Sequence, residues 1–258
     1  MDTERRPPDA PVCELSVFFP AHDEAENLAR TVTSAVTALD RLGLRDLEIV
    51  LVDDGSTDGT GDIAESLAAK DPRIRVVHHP VNRGYGAALK SGFAAARREW
   101  IFYTDSDGQF DLADIDRLLP YAGEFDAIIG YRIQRSDHAL RKVNQALWAG
   151  LVRRVLGVDI RDVDCAFKLL RRSSLERIEP LVSEGAAISA ELLVKLQRSG
   201  ARLKQVGIPH HPRVAGKPSG SDPRVIARAF RELFRLRRSL RASSTARPQV
   251  RASEPTPS

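Results

Sequence analysis

Five short apolar runs, separated by stretches of helical spacing, constrain the fold of this chain more than any other feature. Leu15 to Phe19, Leu47 to Val52, Ile74 to Val77, Trp100 to Thr104 and Phe125 to Ile129 are rich in β-branched, aromatic and other large apolar residues. Their length suits buried strands. Between them Leu28, Val32, Val36 and Leu39, then Ile63 and Leu67, then Ala88, Leu89 and Phe93 recur at helical intervals. Strand then helix, repeated, predicts an α/β fold with a mostly parallel, doubly wound central sheet and ligands at the carboxyl ends of its strands. After Gly130 the rhythm changes. Leu140, Val143, Leu147, Trp148, Leu151, Val152 and Val155 form an apolar helix face interleaved with Arg141, Lys142, Arg153 and Arg154. Phe167 to Leu170 is a short apolar patch, a second helix runs through Leu192, Leu193 and Leu196, and Leu203 to Ile208 suits one more strand.

A chain of 258 residues can bury one substantial core. A single domain is therefore expected over residues 14–222, followed by a basic amphipathic helix over 223–242. The ends, 1–13 and 243–258, are rich in Pro, Ser, Thr and charge and read as disordered tails. The surplus of 39 Lys+Arg over 35 Asp+Glu is local: after Arg213, basic residues far outnumber Asp222, Glu232 and Glu254. Such a segment calls for an anionic partner. Ile226, Phe230, Leu233, Phe234 and Leu240 share one stripe of that helix and arginines cover much of the rest, a pattern that suits either a membrane interface or a helix docked on the domain. Nucleic-acid binding is the competing class. Single-strand binders interleave aromatics along a positive groove, whereas Phe230 and Phe234 lie on the apolar stripe and the acidic clusters go unexplained, so no nucleic-acid partner is expected. Cys13 and Cys165 are too few for a disulfide framework. No apolar leader or membrane-length run is present, so the expected location is cytoplasmic, peripheral at the inner face of the membrane.

The chemistry gathers where the apolar runs end. Asp105-Ser106-Asp107-Gly108-Gln109 follows Trp100 to Thr104 directly. Residues i and i+2 of an extended chain point to one side, so Asp105 and Asp107 can converge. Two anions about 5 Å apart repel by roughly 3 kcal/mol at an effective dielectric near 20, and a hard divalent cation reverses that term. The alternative is a polar loop capping a helix that begins near Asp114. Earlier runs end in Pro20-Ala21-His22-Asp23-Glu24-Ala25-Glu26-Asn27 and in Asp53-Asp54-Gly55-Ser56-Thr57-Asp58-Gly59-Thr60. Asn82-Arg83-Gly84-Tyr85-Gly86 opens a helix whose N-terminus could face a phosphate. Taken singly, these residues also suit turns and first-turn caps. Four such clusters at successive strand ends are harder to dismiss. The chain has no Gly-x-Gly-x-x-Gly after its first strand and no Gly-x-x-x-x-Gly-Lys-Ser/Thr, which argues against dinucleotide oxidoreductases and P-loop NTPases.

In this order the motifs resemble those of family 2 inverting glycosyltransferases of the GT-A (Rossmann-like) fold, and within them the dolichyl-phosphate mannosyltransferase-like group. The resemblance extends over roughly residues 14 to 240. It implies a hexose of mannose or glucose type moved from a GDP- or UDP-sugar to a polyprenyl phosphate. Pro20, His22, Glu24, Val52, Asp53 and Asp54 would line the nucleotide pocket, with Ser106 near the ribose and His22 where the family often has Tyr. Asp105, Asp107 and Gln109 would bind Mg2+ or Mn2+, and Asp105 would also border the nucleotide sugar. Arg132 matches an arginine that contacts phosphate, and Arg213 a catalytic-loop arginine that neutralises the diphosphate or the acceptor phosphate. Just beyond, Gly216-Lys217-Pro218-Ser219 replaces the usual Gly-x-Ser-Lys. Asp162-Val163-Asp164-Cys165-Ala166-Phe167-Lys168 resembles the acceptor-side motif. Asp162 would position the acceptor or act as base, Asp164 is its rival, and a cap or salt-bridge role is open to either. The same donor chemistry on a soluble hydroxyl acceptor is the alternative activity.

Overall fold

The computed structural model describes residues 12–133, 150–178, 180–213 and 231–238. The chain begins β1 (Glu14–Ala21), α1 (Ala25–Asp40), β2 (Asp46–Asp53), α2 (Thr60–Lys70), β3 (Ile74–His78), α3 (Tyr85–Ala95) and β4 (Trp100–Thr104). Two 3-10 turns, Leu112–Arg117 and Leu119–Tyr121, lead to β5 (Ala127–Ile133). Then come α4 (residues 150–156), β6 (Phe167–Arg171), α5 (Arg172–Glu176), α6 (Ala187–Arg198), β7 (Leu203–Pro209) and α7 (residues 231–238).

All seven strands join one sheet in the order β3-β2-β1-β4-β6-β5-β7. Strands β1 to β4 run parallel, as do β5 and β7, and only β6 is reversed, pairing antiparallel with β4 and with β5. This is the mostly parallel α/β sheet that the alternating pattern predicts. The period of two along β1 sorts its side chains between two layers. Val17 and Phe19 pack with Leu28, Val32 and Leu39 of α1. Phe18 turns the other way, toward Leu89 of α3 and Ile188 and Leu192 of α6. There it stacks on Tyr103 at 5.3 Å between ring centroids and meets Phe93 edge-on at 5.1 Å.

A third cluster lies at the far edge, where Val152 and Leu156 of α4 and Leu233 and Leu236 of α7 pack with Ile129, Ala190 and Leu193. Val12 is buried as well, and the half-buried Cys13 has its carbonyl accepting from Arg45 N and Asp46 N at 2.9 and 3.3 Å, so these two residues pack onto the domain. The helix expected near Asp114 is the 3-10 turn Leu112–Arg117, with the Asp111 carboxylate accepting from Ala113 N at 3.0 Å. Residues 1–11, 134–149, 214–230 and 239–258 lie outside the described residues, and with them most of both basic helices and the Gly216-Lys217-Pro218-Ser219 segment.

Candidate active site

The carboxyl ends of β1, β2 and β4 meet through hydrogen bonds between their loops. Asp23 N donates to Ser56 Oγ at 3.1 Å and Thr57 N returns a bond to Asp23 Oδ1 at 2.9 Å. Glu24 N reaches Thr60 Oγ1 at 2.9 Å, and Ala25 N reaches Asp58 Oδ2 at 3.0 Å. Burial pushes the Asp58 carboxyl up, but its bonds from Thr60 and Ala25 outweigh that and hold it below the usual range. The two loops thus form one platform. Asp53 accepts from Ser56 N and from His78 Nδ1, each at 3.0 Å. Ser106 is buried and donates to the Pro20 carbonyl at 2.9 Å, and its own carbonyl accepts from Thr31 Oγ1 at 3.1 Å. Val52 is buried in β2 in register with Pro20.

Asp105 and Asp107 leave β4 into this platform. Burial, and then the charge of Asp107, push the Asp105 carboxyl up to about 7, although it accepts a hydrogen bond from Tyr85 OH at 3.2 Å. Burial raises Asp107 too, and Glu24 adds to that, against a bond from Gln109 N at 3.0 Å and the nearby Arg213 charge. Arg213, in the segment after β7, has its guanidinium 3.5 Å from Asp107 Oδ2 and paired with Glu24. The same segment is tied to the β4 loop: His211 N donates to the Gln109 carbonyl at 2.9 Å and Gln109 Nε2 to the His211 carbonyl at 3.1 Å. Two partly buried carboxylates raised by desolvation and by neighbouring carboxylate charge are a donor set that suits a hard divalent cation. Among the described residues no three His, Cys, Asp or Glu side chains are grouped to hold a metal ion. An ion held at Asp105 and Asp107 would therefore complete its shell with other oxygen donors, from an amide, the substrate or water.

The acceptor-side residues form a second group. Arg132 at the end of β5 grips Asp162 in a buried fork, Nε to Oδ2 and Nη2 to Oδ1 each at 2.8 Å, and its backbone N adds a third bond at 3.2 Å. Asp164 contributes to the negative potential that raises Tyr85 and Arg132. Lys168 on β6 is fully buried. It bonds the Val163 carbonyl at 3.3 Å and also the Cys165 carbonyl, which pins the turn carrying Asp162 and Asp164, and its ammonium lies 5.4 Å from the Tyr103 ring centroid.

The structure thus brings Pro20, Glu24, Asp105, Ser106, Asp107, Gln109 and Arg213 into one linked group around the β1 and β4 ends. His22 joins it through Asn82, 2.7 Å away. Asp54, expected at the nucleotide pocket, is buried at the end of β2. Its carboxylate faces the protein and accepts from Arg83 N at 3.0 Å, Gly84 N at 2.8 Å and His79 Nδ1 at 2.5 Å. The glycines of the Asn82–Gly86 loop also allow a close protein contact. Gly86 N donates to the Glu184 carbonyl at 2.8 Å, and a Cβ at Gly86 would meet Glu184 C at 2.6 Å. The Ser183–Glu184 segment itself hangs on the buried Glu191, which accepts from Ser183 N at 2.7 Å and pairs with Lys195 at 2.7 Å. Tyr85 and Lys168, which the motifs contain without a role of their own, and Glu191 also tie these groups together. Glu191 carries no signal in its own helix pattern.

The sequence pattern of the family described as Glycosyl transferase family 2 matches residues 16–179. The chain is 35% identical over 221 residues to Glycosyltransferase AglD of Haloferax volcanii, which covers 82% of this chain and 35% of that protein. It is 34% identical over 161 residues to an undecaprenyl-phosphate 4-deoxy-4-formamido-L-arabinose transferase of Shewanella sediminis, covering 61% and 48%. It is 27% identical over 231 residues to the dolichyl-phosphate beta-glucosyltransferase of Saccharomyces cerevisiae, covering 76% and 66%. The chain spans about a third to a half of the length of the first two relatives. Mannosyl-3-phosphoglycerate synthase from Rubrobacter xylanophilus shares the fold with a TM-score of 0.67 at 17% identity, over 94% of this chain and 79% of that one. Glucosyl-3-phosphoglycerate synthase from Mycobacterium tuberculosis, solved with Mn2+, uridine-diphosphate and glucosyl-3-phosphoglycerate, does so at 0.62 and 20% identity, over 90% and 79%.

Proposed function

This chain belongs to glycosyl transferase family 2, and on that premise we propose that it moves a hexose of mannose or glucose type from a GDP- or UDP-sugar to a polyprenyl phosphate, at the inner face of the membrane. The observation that carries the donor half is the raised, mutually repelling pair Asp105 and Asp107 at the end of β4. The pair would hold Mg2+ or Mn2+, with the amide oxygen of Gln109 as a further ligand. When bound, the ion neutralises charge on the departing diphosphate. A solved fold neighbour was crystallised with Mn2+ and uridine-diphosphate. Pro20, His22, Glu24, Val52 and Asp53 would line the nucleotide pocket, with Ser106 near the ribose. Asp54 would shape that pocket by holding the Arg83-Gly84 backbone.

The acceptor half rests on the Arg132–Asp162 fork and on the relatives named for undecaprenyl and dolichyl phosphates. In an inverting transfer an acceptor phosphate oxygen attacks C1 of the sugar from the face opposite the diphosphate. The new C1–O bond forms as the old one breaks, and the nucleoside diphosphate leaves with the electron pair. A phosphate monoester is already anionic near neutrality, so no strong base is required. Asp162, accepting three bonds from Arg132, would orient that guanidinium toward the acceptor phosphate, and Asp164 would complete the pocket wall. Arg213 would exchange its carboxylate partners for phosphate oxygens once the donor is in place.

The test is a comparison of acceptors at a fixed donor. A short-chain polyprenyl phosphate should be glycosylated, the product being an acid-labile phosphodiester, and the corresponding free alcohol should not. Transfer to the alcohol or to a soluble sugar hydroxyl, with the phosphate inert, would move the soluble-acceptor reading ahead.

A further inference from the structure

We propose that His79 is a positioning residue for the donor side of the site: its ring, clamped between Ser91 and Asp54, fixes the carboxylate that holds the Asn82–Gly86 loop. The inference rests on the glycosyltransferase reading of that site.

His79 directly follows β3. Its backbone N donates to the Asp53 carbonyl at 2.9 Å, which continues the β2–β3 ladder and turns the side chain under α3. The ring and the Asp54 carboxylate are each only 4% exposed. Nδ1 lies 2.5 Å from Asp54 Oδ1 and Nε2 lies 2.8 Å from Ser91 Oγ. A carboxylate can only accept, so Nδ1 carries a proton, and in the neutral ring Nε2 accepts from the Ser91 hydroxyl.

The relay leads on to two backbone N–H groups. Arg83 N and Gly84 N donate to Asp54 at 3.0 and 2.8 Å. The loop they belong to touches three other parts of the site. Asn82 Nδ2 is 2.7 Å from His22 Nε2 after β1, Tyr85 OH donates to Asp105 after β4 at 3.2 Å, and Gly86 N donates to the Glu184 carbonyl at 2.8 Å. One buried carboxylate therefore sets the height of a loop that joins the ends of β1, β2 and β4. Removing the His79 donor leaves that carboxylate short of a partner inside the protein, and the loop can follow it only by shifting. Tyr85, and through it Asp105, move with the loop.

The experiment measures binding of UDP and of GDP in the presence of Mn2+, together with the acceptor KM, in the full chain and in His79→Leu, His79→Asn and Ser91→Ala. His79→Leu should weaken nucleotide binding by about tenfold or more, the scale of lost outer-shell support, with the acceptor KM unchanged. His79→Asn, whose amide nitrogen can stand near the place of Nδ1, should recover most of that loss, and Ser91→Ala should weaken binding in the same direction by a smaller factor. A folded His79→Leu with wild-type nucleotide affinity overturns the proposal. So does a parallel rise in donor and acceptor KM that follows a fall in melting temperature, since that marks general loosening. Should His79→Leu not fold, unchanged nucleotide affinity in Ser91→Ala overturns it instead. If the wild-type chain binds neither nucleotide with Mn2+, the glycosyltransferase reading falls and takes this inference with it. Wild-type binding that the variants leave intact removes the inference alone.

Discussion

At the residue scale the Asp105–Asp107 pair makes the sharpest claims. A carboxyl whose folded pKa lies above its unfolded value binds more protons folded than unfolded between the two, so its contribution to stability falls as pH rises through that window. For Asp105, raised to about 7, the metal-free protein loses that contribution between about pH 4, the ordinary carboxyl value, and pH 7. A cation needs the anionic form, so the rise in melting temperature on adding Mn2+ should be larger at pH 8 than at pH 6. An equal rise at both would mean that the pair does not hold the ion. Asp107→Asn should leave the fold intact and lower turnover on the order of a hundredfold or more, the usual scale for lost electrostatic stabilisation. Arg213, 3.5 Å from Asp107 and paired with Glu24, sits beside the carboxylates before any ion arrives. Arg213→Ala should therefore bind Mn2+ more tightly than wild type in the absence of nucleotide, yet turn over far more slowly. Calorimetry beside an activity assay separates the two effects, and weaker Mn2+ binding would contradict this account of the pairing.

At the element scale the Asn82–Gly86 loop and the segment before α6 act as one piece. Gly84 has a φ of +96° and a Cβ there would meet the Glu184 carbonyl oxygen at 2.8 Å, while at Gly86 the Ser183 carbonyl oxygen lies 2.7 Å from the built Cβ. Gly86→Ala must push backbone apart, at a cost of about 1–3 kcal/mol for overpacking of this kind. Thermal unfolding reads that cost, and an unchanged melting temperature would show that the segment before α6 yields freely. The elements that the sequence reading recovered are those with a clean period. The strand cores of β1 to β4 are mostly apolar, with single polar breaks at Ser16, Glu48 and Arg75, and α1 shows its buried face at Leu28, Val32 and Leu39. Strand β6 reads from sequence only as an apolar patch, since two of its five residues, Lys168 and Arg171, are charged, and nothing local reveals that the Lys168 ammonium finds carbonyls at Val163 and Cys165. The motif residues were legible as clusters at strand ends. Their pairings were not, since Arg132 meets Asp162 across 30 residues and Arg213 meets Glu24 across 189, distances that only the sheet order brings together.

At the scale of the whole molecule the reversed β6 lies between β4 and β5, and so carries the Asp162–Cys165 turn to the same end as the β4 carboxylates. The residues proposed to bind donor and acceptor then share one edge of the sheet. Helix α7 belongs to this architecture as well as to its surface. Leu233 and Leu236 are in the core, while Phe234 is 49% exposed among Arg231, Arg235, Arg237 and Arg238. The expected stripe is thus divided, with Phe234 turned outward and Ile226, Phe230 and Leu240 outside the described residues. Among the described residues no helix is long and apolar enough to cross a membrane. Binding to anionic vesicles should weaken with salt, because exposed charges are screened beyond about 8 Å at physiological ionic strength. Phe234→Ser should weaken it further and reduce transfer to a long-chain polyprenyl phosphate more than to a short, water-soluble analogue. Equal losses with both acceptors would make α7 a packing element only. The central claim is that the β4 carboxylates serve transfer from a nucleotide sugar to a lipid phosphate. Its most direct test is a panel of GDP- and UDP-hexoses with a short polyprenyl phosphate, run with Mn2+ and again with EDTA. The account predicts that one donor class yields sugar-phosphate-prenol with Mn2+ and essentially none with EDTA. Wild-type turnover in EDTA, or no transfer to the phosphate from any donor, would contradict it.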